Sequence, residues 1–344
     1  MKKLIKSVFV YSPEEMSLED NHVIVTVDGK LLGRGPLRNI EVICYYGYKP
    51  IRPALMEACI KHGVRLNVLH PDGQFISAVT GSTYESSNTR RLQYKAASDS
   101  SVCLEIAKNL IMAKAFNTRW LFGLMYRDYE SQIDRKTAQS RADTFKKIVG
   151  DALAAKDMDA LREIRKNTEK ELYSSFDDLI MIQKDTFKFE GRSAKPPTDK
   201  VNTLLSFAYE LLEELCTSAL ETAGLDSFSG FFTKEKQGRP ALTFDLMEEF
   251  RACIADKYVL NMINKGIVDA DSFEEVAEND FILTESGSEA AWEYWLESLT
   301  AQTMHPYLEE QVEWGLVPYA SALLLARFLR EEIDKYPPFL RKKP

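Results

Sequence analysis

The hydrophobic period of this chain changes once, near residue 89, and that switch divides it into two unlike parts. Before it, short β-branched and aromatic runs (VFVYS, HVIVTVDG, KLLGRGPL, IEVICYYG) are punctuated by Asp28-Gly29, Gly33, Pro36 and Gly47, as strands are. One helix interrupts them. Arg52-Pro53 opens it, Leu55, Ala58 and Cys59 fall at helical spacing, and His62-Gly63 closes it in the manner of a C-cap. Val64 to Leu69 reads as a buried strand, and Pro71-Asp72-Gly73 turns the chain into another strand that ends at Val79. From Thr89 onward the pattern is a succession of long helices with few breakers. The expected fold is therefore α+β. An N-terminal β-sheet or sandwich domain with one helix (1–80) and a polar linker (81–88) precede a larger all-α domain (89–344). A length of 344 residues suits two domains sharing an interface.

Charge and composition limit what the chain can do. With 45% hydrophobic and 28% charged residues it has ample material for a core. A net charge of −8 argues against a surface devoted to gripping phosphates, while leaving room for a local basic groove. The five cysteines and four histidines are scattered, with no C-x-x-C and no histidine pair at ligand spacing, which excludes a zinc knuckle or a dithiol redox motif. The start, MKKLIKSVFVYSPEE, has no small-residue cleavage site and reads as a first strand, not a signal peptide. No apolar run approaches the roughly 20 residues that span a bilayer, so no membrane partner is expected and a cytoplasmic protein is.

The stretch from Leu225 to Arg251 concentrates the chemistry. Small and turn-forming residues (Asp226, Ser227, Ser229, Gly230) lead into a polar loop closed by Gly238-Arg239-Pro240, then into a helix with Leu246, Met247 and Phe250 on one face. Asp245 and Glu248 lie three apart, so both carboxylates project from one side of that helix. Such a pair either complements the positive end of the helix dipole or forms a cation or acid–base site.

The wording of this stretch resembles the core signature of the CRISPR-associated endonuclease/integrase of the Cas-one family. The resemblance extends to Tyr173-Ser174-Ser175-Phe176-Asp177, Leu179-Ile180, Gly191-Arg192, Pro196-Pro197, Asp199, Asn202 to Phe207 and Ile282 to Gly287. The end, from His305-Pro306 through Trp314 to Pro318 and Tyr336 to Phe339, is similar to the I-C subtype. The resemblance implies a metal-dependent DNA endonuclease and integrase, working with Mg²⁺ or Mn²⁺ on double-stranded DNA. It also implies a homodimer formed through the N-terminal domain and a small Cas-two partner.

Two of the three metal ligands that the resemblance implies are replaced. Where the family has a histidine after Gly-Phe-Leu, this chain has Thr233 after Gly230-Phe231-Phe232. The ligand glutamate falls on Arg165 when the flanking motifs are joined without a gap. Glu163 and Glu169 are nearby, but a two-residue shift turns a helical side chain about 200° away and a four-residue shift displaces it by about 6 Å. Glu248 alone keeps its ligand position, with Asp245 the other retained acid, and the helix after Ile282 to Gly287 is acidic where the family is basic. A bidentate salt bridge from Arg165 to Glu248 or Asp245, a fixed cation in place of the metal, is the expected consequence. Candidates for DNA contact are Arg90 and Arg91, which also suit a solvated helix start, together with Arg192, Lys195, Arg239 and Arg251. Three readings remain open: an integrase whose ligands come from Glu163, Glu169 or Asp245, a non-catalytic DNA-binding or structural subunit, or an unrelated helical scaffold.

Overall fold

The computed structural model describes residues 7–11, 15–40, 42–70, 75–79, 84–194, 196–278 and 280–341. The N-terminal part holds strands β1 (Ser7–Tyr11), β2 (Glu15–Glu19), β3 (His22–Val27), β4 (Lys30–Pro36) and β5 (Val42–Tyr46), helix α1 (Pro53–Lys61), and strands β6 (Arg65–Leu69) and β7 (Phe75–Val79). They form two sheets. One has the order β1-β5-β6-β7, parallel except for β7, and the other is the antiparallel meander β2-β3-β4. Val23, Val25, Ile43 and Leu66 from the two sheets meet Leu55 and Cys59 of α1 in a core of their own. The helix begins as its sequence dictates, with Pro53 in the first turn, and ends where Gly63 takes a φ of +66°, which a glycine adopts without a Cβ penalty.

Helix α2 (Tyr84–Ala97) starts inside the segment read as linker, so residues 84–88 are helical, and 80–83 lie outside the described residues. The helical part continues with α3 (Ser100–Asp128), α4 (Arg135–Ala154), α5 (Met158–Tyr173), α6 (Lys200–Thr222) and α7 (Ala241–Phe250). A six-residue π-helical turn, Arg251–Asp256, joins α7 to α8 (Lys257–Asn264). Asp199 caps α6 as its position suggests, its carboxylate accepting from the Asn202 N–H at 2.7 Å. Beyond α8 the chain adds two short ribbons that the sequence reading did not include, β8 (Phe273–Ala277) with β9 (Asp280–Leu283) and β10 (Gln302–Met304) with β11 (Gln311–Glu313), around α9 (Glu285–Thr300) and before α10 (Val317–Leu329). Strands of three to five residues between long helices leave too short a period-2 signal to register.

The two parts are joined through α6. The Asn67 side-chain amide of β6 donates to the hydroxyls of Ser218 at 2.9 Å and Thr222 at 2.7 Å, and Tyr46 meets Trp292 of α9 edge to face. A buried helical core of Ile106, Leu110, Leu121, Leu204, Leu212, Leu246 and Phe250 then fixes α3, α6 and α7 against one another. That packing places one face of α7 against α3 and α5.

Candidate functional site

Helix α7 begins at Ala241, so Asp245 and Glu248 are its fifth and eighth residues, beyond the first turn where the helix dipole acts. Both are buried, and their carboxylates do different things. Asp245 accepts the backbone N–H groups of Phe231 at 2.7 Å, Phe232 at 2.9 Å and Thr233 at 2.7 Å. It latches the 226–233 loop onto α7. Gly230 makes the latch possible: a Cβ there would lie 2.9 Å from the Asp245 carboxylate and 3.0 Å from the Ala241 backbone. Burial raises the Asp245 carboxyl above its usual range, and the three N–H bonds oppose the shift.

Glu248 meets cations instead. Its Oε2 accepts from Lys114 Nζ of α3 at 2.5 Å, its Oε1 from Arg165 Nη1 of α5 at 3.3 Å, and Arg251 Nε of the π-helical turn lies 3.9 Å from Oε2. Lys114 also donates to Glu169 of α5 at 3.2 Å. Burial alone would raise the Glu248 carboxyl, but Lys114, Arg251 and Arg165 outweigh it and hold the group down at about 2. The expected bridge from Arg165 is therefore present to Glu248 as a single contact and not a bidentate one. Arg165 Nη1 takes one oxygen while its guanidinium carbon lies 5.9 Å from the centre of the Phe232 ring.

The cluster continues along the π-helical turn. The Arg251 guanidinium carbon stands 4.7 Å from the centre of the Tyr209 ring, and that of Arg192 stands 5.5 Å from it. The Tyr209 hydroxyl donates to Asp256 at 2.6 Å and shares a 2.8 Å hydrogen bond with Tyr173. Burial pushes the Asp256 carboxyl up to about 6, with Tyr209, Lys114 and Arg251 acting against the shift. A π-helical turn re-aims side chains that an α-helix would space differently, and here it brings Arg251 and Asp256 to one aromatic ring.

The structure thus brings together Arg165, Glu248 and Arg251 from the sequence candidates, and holds Thr233 and Asp245 in the adjoining latch. Arg90 is committed elsewhere: its Nη2 donates to Glu221 of α6 at 2.8 Å and to the Leu225 carbonyl at 3.4 Å. Arg91 and Arg239 are exposed, the latter with its guanidinium carbon 4.6 Å from the centre of the Phe244 ring. Arg192 is tied to Asn202 at 2.9 Å and to Ser206 at 3.1 Å. Lys195 lies outside the described residues. Of the acids named as substitutes, Glu163 is exposed and paired with Lys166 at 2.7 Å, while Glu169 borders the cluster. Sequence reasoning missed Lys114 and Asp256. The signal was a charge inside an apolar stripe: Lys114 follows Leu110 and Ile111 at helical spacing, and Asp256 stands between Ile254 and Tyr258.

A Mg²⁺ or Mn²⁺ ion needs several oxygen ligands that are free to face it. Both oxygens of Glu248 face ammonium or guanidinium groups, and Asp245 is filled by N–H donors. Among the described residues no group of three or more His, Cys, Asp and Glu side chains is placed to hold a metal. The residues present do not fit a divalent ion, because fixed positive charge surrounds Glu248, the carboxylate that the resemblance implies as a ligand. Among the described residues no helix is long and apolar enough to cross a membrane.

Known proteins bear on this fold. The family model for CRISPR associated protein Cas1 matches residues 8–297. The CRISPR-associated endonuclease Cas1 2 of Rhodospirillum rubrum is 34% identical over 99% of this chain and 100% of its own length. The endonuclease Cas1 1 of Chlorobaculum tepidum is 31% identical over 99% of each. In three dimensions the chain is similar to a partial Cas6-RT-Cas1–Cas2 complex, with a TM-score of 0.81 at 18% identity over 99% of this chain and 100% of that one. It is also similar to a casposase bound to integration product, with a TM-score of 0.74 at 19% identity over 98% and 100%. These matches show that the chain belongs to the CRISPR associated protein Cas1 family.

Proposed function

We propose that this chain, an I-C-like member of its family, works in CRISPR adaptation as a subunit that holds DNA without divalent-metal chemistry. The observation that carries the reading is Glu248, 2% exposed and contacted by Lys114, Arg165 and Arg251. In that setting the carboxylate is ionised yet engaged, so it neither receives a proton from a hydroxyl nucleophile nor offers an oxygen to an ion. The cations remain suited to phosphate, and Arg165 is 34% exposed at the mouth of the cluster. Double-stranded DNA, a second copy of the chain and a small Cas2 protein are the partners of this reading. The solved neighbours support it, since they include a partial Cas6-RT-Cas1–Cas2 complex and a Cas1–DNA complex, the latter with a TM-score of 0.56. The cytoplasm is where such a protein works.

The test is a strand-transfer and nuclease assay with Mn²⁺, run beside calorimetric titration of the ion. It compares the natural chain with the double substitution Arg165→Glu plus Thr233→His. An inert parent without Mn²⁺ binding, and a double variant that binds the ion, supports a scaffold with a disabled centre. Activity in the parent that Glu248→Ala abolishes would overturn the reading. The alternative, a centre rebuilt around Glu169 beside Lys114, predicts instead that Glu169→Gln abolishes parental activity.

A further inference from the structure

A second group of cations begins one residue after the π-helical turn, and among the described residues it forms no ion pair, the nearby acids being Asp128 and Glu297. Lys257, the first residue of α8, places its ammonium 6.0 Å from the centre of the Trp120 ring and 5.2 Å from that of Trp314. The Arg341 guanidinium carbon lies 5.5 Å and 5.3 Å from the same two rings. Two like charges thus share two indoles. Arg341 donates one N–H to the Thr303 hydroxyl, while its Nε is buried without a hydrogen-bond partner. Among the described residues the Lys257 ammonium has three donors and no acceptor, only ring faces. Ring faces attract a cation modestly, and that attraction offsets only part of the cost of removing an ammonium from water beside a second cation. Burial draws the Lys257 ammonium below the usual lysine range, with Arg341 and Lys265 acting in the same direction and Cys253 and Asp128 against it.

The ammonium lines a cleft of about 190 Å³. Asn261, Lys265, Tyr294 and Ser298 share its wall and offer donors, with the acid Glu297 at the same wall. Lys265 is oriented by a 3.2 Å hydrogen bond from its Nζ to the Tyr294 hydroxyl. At roughly 30 Å³ per water the cleft has room for about six waters. That suits one tetrahedral oxyanion and is too small for a whole nucleotide.

We propose that this cleft binds a single phosphate group, held by Lys257 between the two indoles with Lys265 and Asn261 as further donors. The phosphate is either free or a phosphodiester of a nucleic-acid strand that passes the cleft. The site does not depend on the state of Glu248, so its failure and the failure of the metal-free reading are distinguishable.

The experiment titrates the full chain with inorganic phosphate in a phosphate-free buffer at constant ionic strength. Calorimetry and tryptophan fluorescence are the readouts, since Trp120 and Trp314 flank the ammonium. Saturable binding is expected, weakened at least tenfold by Lys257→Met and unchanged by Lys61→Met, an exposed lysine of α1. No saturation, or equal affinity in Lys257→Met, overturns the proposal. Should Lys257→Met fail to fold, acetylation of Lys257 in the natural chain, followed by mass spectrometry, gives the answer. Slowing by phosphate supports the site, and an unchanged rate overturns it. A parallel titration with a 30-base-pair duplex separates the sources. Weaker DNA binding in Lys257→Met, with a salt slope smaller by about one, assigns the site to a strand, and unchanged DNA binding assigns it to free phosphate.

Discussion

Glu248 and Glu249 are neighbours in sequence, both buried in α7, and they sit in opposite electrostatic worlds. Glu248 faces α3 and α5, where Lys114, Arg165 and Arg251 hold its carboxyl down at about 2. Glu249 faces the C-terminal segment, where its partners are uncharged. It accepts from the Phe339 N–H at 2.8 Å, from the Ser321 hydroxyl at 3.3 Å and from the Tyr336 hydroxyl. Burial pushes that carboxyl up to about 7, although each hydrogen bond works against the shift. Depth is alike and the outcome is opposite, so the sign of the neighbours decides the charge state. One face of α7 is an ionic centre. The other is a polar clasp for the chain's last described segment, reinforced by Asn117, which donates to the carbonyls of Glu249 and Phe339, each at 2.8 Å.

The comparison breaks most forcefully at Lys114. Replacing it with methionine removes the closest cation from Glu248 and leaves a buried carboxylate balanced by two longer contacts. Taking one partner from a buried ion pair costs about 3–5 kcal/mol. Lys114→Met is expected to fall in that range by urea denaturation. Lys114→Met combined with Glu248→Met should recover part of the loss, since the isolated charge is then gone. Equal destabilisation in the single and double variants would mean that the lysine acts through packing alone.

Much of the fold could be read directly, and the reasons are local. Pro53 and Gly63 bound α1, Asp199 caps α6, and the alternating runs before residue 80 lie in sheets. The ionic centre could be read only in part. Its pieces come from α3, α5, α7 and the π-helical turn, and the i to i+3 spacing of Asp245 and Glu248 suggested one shared site where the structure makes two. Spacing on a helix places Cβ atoms but does not fix what meets them. Lys114 was hidden because its neighbours Ile111 and Ala115 define a core stripe, and a long side chain can thread such a stripe to reach an acid. The π-helical turn left no sequence mark, yet it decides that Arg251 reaches both Glu248 and Tyr209.

Asp245 sharpens the contrast from the side of neutral donors. Asp245→Asn keeps the shape but turns one acceptor oxygen into a donor facing the N–H groups of residues 231–233. Leaving buried donors unsatisfied costs about 1–3 kcal/mol. Amide hydrogen exchange at Phe231, Phe232 and Thr233 should accelerate ten- to hundredfold at about that cost, with the α3 amides unchanged. Exchange that stays slow would show that packing of Phe231 and Phe232, and not the carboxylate, holds the loop.

The smallest effect, and the most diagnostic, is the pH dependence at Glu249. Its folded pKa is raised from 4.5 to about 7, so the folded chain binds more protons than the unfolded one between those values. The stability it contributes is fully present below pH 4.5 and is lost as pH rises through about 7. Glu248, with its pKa lowered to about 2, has the opposite sign: its contribution is present above pH 4.5 and is lost as pH falls toward 2. Glu249→Gln resembles the protonated acid, with one end that donates and an oxygen that accepts, and does not titrate. The variant should therefore match the natural chain near pH 4.5 and exceed it in melting temperature at pH 8. The gap is bounded by the rise from 4.5 to about 7, on the order of 3 kcal/mol at most. A gap of constant size across this range would mean that Glu249 is ionised throughout, and that the two faces of α7 do not differ in charge state.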